Sequence, residues 1–138
     1  MSEVIFLYDF EYVPYTNPSG SQARFEEGLK AFFAAHDMGW RMSALGGMTH
    51  TMGYVGYKGR PATEADRRAL GDWAATQRIR CTARIGALEE VTDRTDFSRD
   101  VTEWVFPVDN LTPDDRAEAA AYEDSIRELG RGGQPDRD

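Results

Sequence analysis

With 138 residues, 41% hydrophobic and 12% aromatic, the chain suits one folded domain that buries its own core, and excludes disorder throughout. The single Cys81 excludes an internal disulfide and a cysteine zinc cage; no stretch reaches the ~20 apolar residues of a membrane span, and the start lacks the pattern of a secretory signal, so a cytoplasmic protein is expected. The net charge of −8 is sorted along the chain, with six acids against two bases in 1–39, three against eight in 40–86, and fifteen against six in 87–138, which points to a binding protein before an enzyme.

Residues 4–13 open with a β-branched and aromatic run and then alternate Tyr8, Phe10 and Tyr12 against Asp9 and Glu11, the period of a strand. Asn17-Pro18-Ser19-Gly20 breaks it, and Ser19 with Gln22 has the spacing of a capping box. Phe25, Leu29, Phe32, Phe33 and His36 then recur at helical spacing as far as Gly39. Trp40, Met42 and Ala44 alternate with Arg41 and Ser43, and after Gly46-Gly47 a second extended run over 49–57 predicts a β-hairpin, although Gly53 and Gly56 weaken the strand pattern. Thr63 is the expected N-cap of a second helix, with Asp66 at its third position, Leu70, Trp73 and Ala74 facing inward, and an end near Arg78. Ile79, Cys81, Ala83 and Ile85 alternate with Arg80, Thr82 and Arg84, which predicts a strand with one buried face.

The order strand, helix, hairpin, helix, strand predicts an α+β domain of ferredoxin-like topology over 1–91. Beyond it, 101–108 is read as an added strand and Leu111-Thr112-Pro113 as a helix start. Ala119, Tyr122, Ile126 and Leu129 give that last helix an apolar stripe, and Gly130 can close it; 92–130 extends the same domain, and 131–138 reads as a tail.

Few residues suggest chemistry. His36 falls near the end of the first helix, where an imidazolium suits the dipole, and His50, in Thr49-His50-Thr51, reads as a strand histidine bonded to neighbouring hydroxyls. Asp9 and Glu11 share one strand face; that spacing suits one Mg²⁺, but pairing with Arg80 or Arg84 satisfies them without metal. Cys81 belongs to the inward set of its strand and reads as a small core residue. No catalytic residue, metal or cofactor is assigned. The basic set Arg41, Lys58, Arg60, Arg67, Arg68, Arg78, Arg80 and Arg84 either converges to contact RNA phosphates or is a solvated surface paired with the chain's own acids.

Leu45-Gly46-Gly47 before the second hairpin strand, Gly53-Tyr54-Val55-Gly56 within it, Thr63-Glu64 opening the second helix, Trp73, and Gly86-Ala87-Leu88 make 25–91 resemble the YggL-type family of small bacterial proteins associated with the large ribosomal subunit. The family's basic N-terminus is missing, its closing acid-and-tryptophan ending appears only as Leu88-Glu89-Glu90-Val91, and an acidic segment follows. The resemblance implies a ribonucleoprotein partner and makes Arg41, Lys58, Arg60, Arg67, Arg68, Arg80 and Arg84 the expected contacts.

The alternative uses the opposite pole. Acids such as Glu89, Glu90, Asp114, Asp115, Glu118 and Glu123 would imitate a phosphate backbone and block a basic nucleic-acid-binding complex, as phage anti-CRISPR or anti-restriction inhibitors can do. Third stands a small metal-dependent enzyme built on Asp9, Glu11 and His50. Fourth is a homo-oligomer in which 101–108 is unpaired in its own sheet and completes a neighbour's.

Overall fold

The computed structural model describes residues 3–13, 15–43, 49–57, 59–97 and 99–132, with 40–43 and 130–132 described by their backbone. The chain is α+β. Its elements are β1 (Val4–Glu11), α1 (Ser21–Ala35), β2 (Gly39–Ser43), β3 (His50–Gly56), α2 (Glu64–Ala75), β4 (Arg80–Ile85), β5 (Glu89–Glu90), β6 (Trp104–Asp109) and α3 (Pro113–Gly132). The antiparallel strands run in the order β2-β3-β1-β4-β6, and the two-residue β5 pairs with the start of β1.

Position in the sheet explains the mixed pattern of β1. Phe6, Tyr8 and Phe10, continued by Tyr12, face a core built with Phe25, Leu29, Phe32 and Phe33 of α1 and Leu70 and Ala74 of α2. The intervening residues face the other side, where Ile5 and Leu7 are covered by Val101, Val91 and Tyr54. Phe97 extends that cover, its ring 4.7 Å from that of Tyr54. The connection from β5 to β6 thus roofs the end of the second face that holds Ile5 and Leu7, where β1 is apolar on both sides. At the other end of that face the buried Asp9 and the partly exposed Glu11 replace the aliphatics, and His50 and Arg84 supply the partners that such carboxylates need.

Several local expectations change. α1 starts at Ser21 after Gly20, whose φ of 83° is left-handed, and no side chain caps it; the Ser19–Gln22 capping box does not form. Helix α2 has the expected Thr63–Asp66 capping box but ends at Ala75 rather than near Arg78. The hairpin strands pair as expected, Gly53 included, while the Gly46-Gly47 turn and 133–138 lie outside the described residues; α3 runs on to Gly132, so Gly130 does not close it and 131–132 are helical rather than tail. The C-terminal strand is not unpaired: β6 joins β4 from Arg80↔Asp109 to Ile85↔Trp104, and Trp104 and Phe106 pack on the main core.

Helix α3 is held at its first half. Leu111, Asp115 and Ala119 are buried. The Asn110 side-chain N–H donates to the carbonyls of Ala75 and Gln77 at 2.8 Å, tying the start of α3 to the end of α2.

Candidate functional site

Most of the expected basic contact surface is engaged within the molecule. Arg60 lies 3.1 Å from Asp66, and its guanidinium carbon stands 3.3 Å from the Tyr57 ring centre. Burial opposes ionisation of Asp66, but the Arg60 guanidinium and the Thr63 backbone N–H outweigh it and hold the carboxyl below its ordinary value. Arg67 donates to the Gly86 carbonyl at 2.7 Å and pairs with Glu64 at 2.7 Å, so it braces α2 against the end of β4. Arg78 pairs with Asp115, Arg80 with Asp109 at 3.8 Å, and Arg84 with Glu11 at 3.0 Å. These arginines do not form one free cationic face. Arg68 is exposed and makes no ion pair within 4.0 Å among the described residues. Lys58 lies outside the described residues, and of Arg41 only the backbone, opposite Tyr54 in β2, is described.

The acids divide. Glu89, in β5, holds Arg99 in a two-pronged pair with one contact of 2.9 Å, and Glu90 beside it is exposed. Asp114 and Glu118 are exposed on α3, whereas Glu123 is half-buried and accepts from Arg127 at 2.6 Å. Asp115 leaves the proposed acidic face altogether. It is 5% exposed, accepts from the Arg78 Nε–H at 2.6 Å and the Thr112 backbone N–H at 2.9 Å, and its own N–H donates to the Thr112 hydroxyl at 3.1 Å. Arg78 and Thr112 hold its carboxyl well below the usual carboxylate range. The Thr112-x-x-Asp115 spacing is the sequence signal for this capping role.

The end of the sheet beyond that roof gathers Asp9, Glu11, His50 and Arg84. His50 Nδ1 lies 2.8 Å from Asp9 Oδ1, and its Nε2 lies 4.0 Å from Glu11. The partner of His50 is thus a carboxylate rather than the expected hydroxyl. The Thr51 hydroxyl points to the opposite face, where it donates to Glu26 at 3.0 Å and meets the Tyr12 hydroxyl at 2.7 Å. Of the two arginines expected to satisfy these acids, Arg84 does so for Glu11, while Arg80 turns to Asp109. Among the described residues no group of three or more histidine, cysteine or acidic side chains is placed to hold a metal ion. Cys81 is buried, which pushes its thiol up to about 12, and His36 stacks on Phe32 at the end of α1.

One surface went unnoticed in the sequence. Tyr12, Val13, Tyr15, Pro18 and Tyr122 are among the residues lining a groove of about 380 Å³ between the β1–α1 loop and α3. The Asn17 side chain positions that loop by exchanging hydrogen bonds of 2.7 and 2.8 Å with the Arg80 backbone. The sequence signal is Val13 at the end of the strand pattern with Tyr15 just beyond it, and their meeting with Tyr122 is not readable without the fold. No protein family, curated protein or solved structure matches this chain in the comparisons made.

Proposed function

We propose that this protein is a non-enzymatic, cytoplasmic binding protein whose contact surface is acidic. It presents the exposed carboxylates of α3, namely Asp114, Glu118, Asp124 and Glu128, to a basic nucleic-acid-binding partner and blocks it as a mimic of the phosphate backbone. The observation that carries this reading is the fate of the arginines: five of them, Arg60, Arg67, Arg78, Arg80 and Arg84, are paired with the chain's own acids, while these four α3 acids stand exposed. Carboxylates four residues apart on a helix rise by about 6 Å, close to two steps of the ~3.4 Å axial phosphate spacing of one DNA strand. The order β2-β3-β1-β4 with α1 and α2 on one face supports the finer assignment of a ferredoxin-like core, to which β6 and α3 are added.

A tagged pull-down from host lysate at low and raised salt tests the reading, with protein and RNA both analysed. The expected catch is a nucleic-acid-binding protein released by salt and lost with the Asp114→Asn, Glu118→Gln, Glu128→Gln variant. Its own nucleic-acid binding must fall when the purified chain is added. Recovery of large-subunit RNA that weakens with Arg68→Glu would overturn this reading in favour of ribosome binding.

A further inference from the structure

The apolar stripe that docks α3 continues after the docking ends. Ala119 is buried, but Tyr122, three residues on, is 43% exposed, Ile126 is half-buried and Leu129 is 71% exposed. Their spacing of four and then three residues keeps them on one helical face. The Tyr122 ring lies 6.1 Å from that of Tyr15, which is also 43% exposed, and Val13 beside it in the groove is 56% exposed. Groove and stripe therefore share Tyr122, and the helical part of the strip spans about 10 Å.

Charge decides what would cover it. Helical geometry puts Asp114 and Glu118 on one border of the stripe and Glu123 on the other. Acids outnumber bases six to three over α3. A second copy would bring two net-acidic helices together, and an anionic lipid surface would be repelled.

We infer that the groove and the stripe form a docking surface for a basic amphipathic α-helix of the partner. Its apolar side chains sit on Val13, Tyr15, Tyr122, Ile126 and Leu129, and its lysines or arginines sit over Asp114, Glu118 and Glu123. The Glu123–Arg127 pair is on the surface, and exchange of Arg127 for an incoming cation costs little. The inference rests on the acidic-surface reading and narrows the partner element from any basic channel to a helix read at its apolar face.

The probe is a labelled leucine-lysine peptide of about 18 residues, five helical turns, with its leucines on one face, beside a scrambled peptide of the same composition. Binding of both to the full chain is followed by fluorescence anisotropy at about 150 mM salt. The patterned peptide is expected to bind about tenfold more tightly, the size of effect that burial of one leucine gives. Leu129→Ser, at an exposed position that leaves the fold intact, and Tyr122→Ala should each remove most of that preference without changing the scrambled peptide's affinity. Equal binding of both peptides, weakened alike by Glu118→Gln with Glu128→Gln, would overturn the inference and leave the acidic-surface reading standing. Absence of binding by either would overturn both. A concentration-dependent dimer in sedimentation that Leu129→Ser abolishes would assign the strip to a second copy, and so would also overturn the inference.

Discussion

Asp114 and Asp115 are neighbours of one residue type with opposite fates. Asp114 stands exposed on α3, while Asp115 turns inward to Arg78 and Thr112. Its carboxyl is held below its unfolded value, so the folded state binds its proton less readily than the unfolded chain does. The stabilisation is then complete above the ordinary carboxylate range and is lost progressively as pH falls below about 4. Asp115→Asn is expected to lower the urea midpoint at neutral pH, and the gap from the unaltered chain should narrow as pH drops from about 5 to about 2. A gap constant across that range would show that the carboxylate gains nothing by folding. Composition and charge counting placed both aspartates on one acidic face because they do not register which carboxylate a tertiary partner claims. The same limit hid the choice of His50, which takes Asp9 41 residues away rather than the hydroxyls beside it.

Elements were legible where the signal was local. The capping residues of α2, Thr63 and Asp66, follow from short-range hydrogen bonding, and the alternation in β4 follows from one buried face. What the sequence hid was what each element lies against. The apolar start of β1 reflects the cover that Val91 and Val101 give its second face, a non-local fact. Gly71 in α2 is another case, for its absent side chain makes room for β6: a Cβ there would stand 2.2 Å from the Trp104 ring. Gly71→Ala therefore sets a helix-propensity gain of about 1 kcal/mol against overpacking that costs about 1–3 kcal/mol. A net loss of up to about 2 kcal/mol is expected in urea unfolding, because the Trp104 ring packs on the core and must shift to admit the methyl group. A gain in stability would show that Trp104 has room to move.

At the scale of the whole molecule, folding partly undoes the sorting of charge along the chain. The basic middle meets the acidic segment across space, as Arg78 joins Asp115 and Arg80 joins Asp109, so two stretches that look like opposite poles in sequence partly cancel in the structure. Such surface pairs contribute little to stability, but each sets one of the chain's own acids in competition with an external phosphate for the same cation. Non-specific RNA binding needs several uncompensated cations on one face, each releasing a counterion and steepening the dependence on salt. With Arg60, Arg67, Arg78, Arg80 and Arg84 engaged, this chain is expected to show no saturable binding to a labelled polyuridine of about 30 nucleotides at about 100 mM salt in a filter or anisotropy assay. Micromolar binding that weakens steeply with salt and is lost on Arg68→Glu would mean that Arg68, with the cations of 40–58, forms a sufficient face despite the internal pairing. The acidic-surface reading requires the opposite result, since a helix built to occupy a basic groove cannot share a small body with a strong phosphate-binding face without attracting its own competitor.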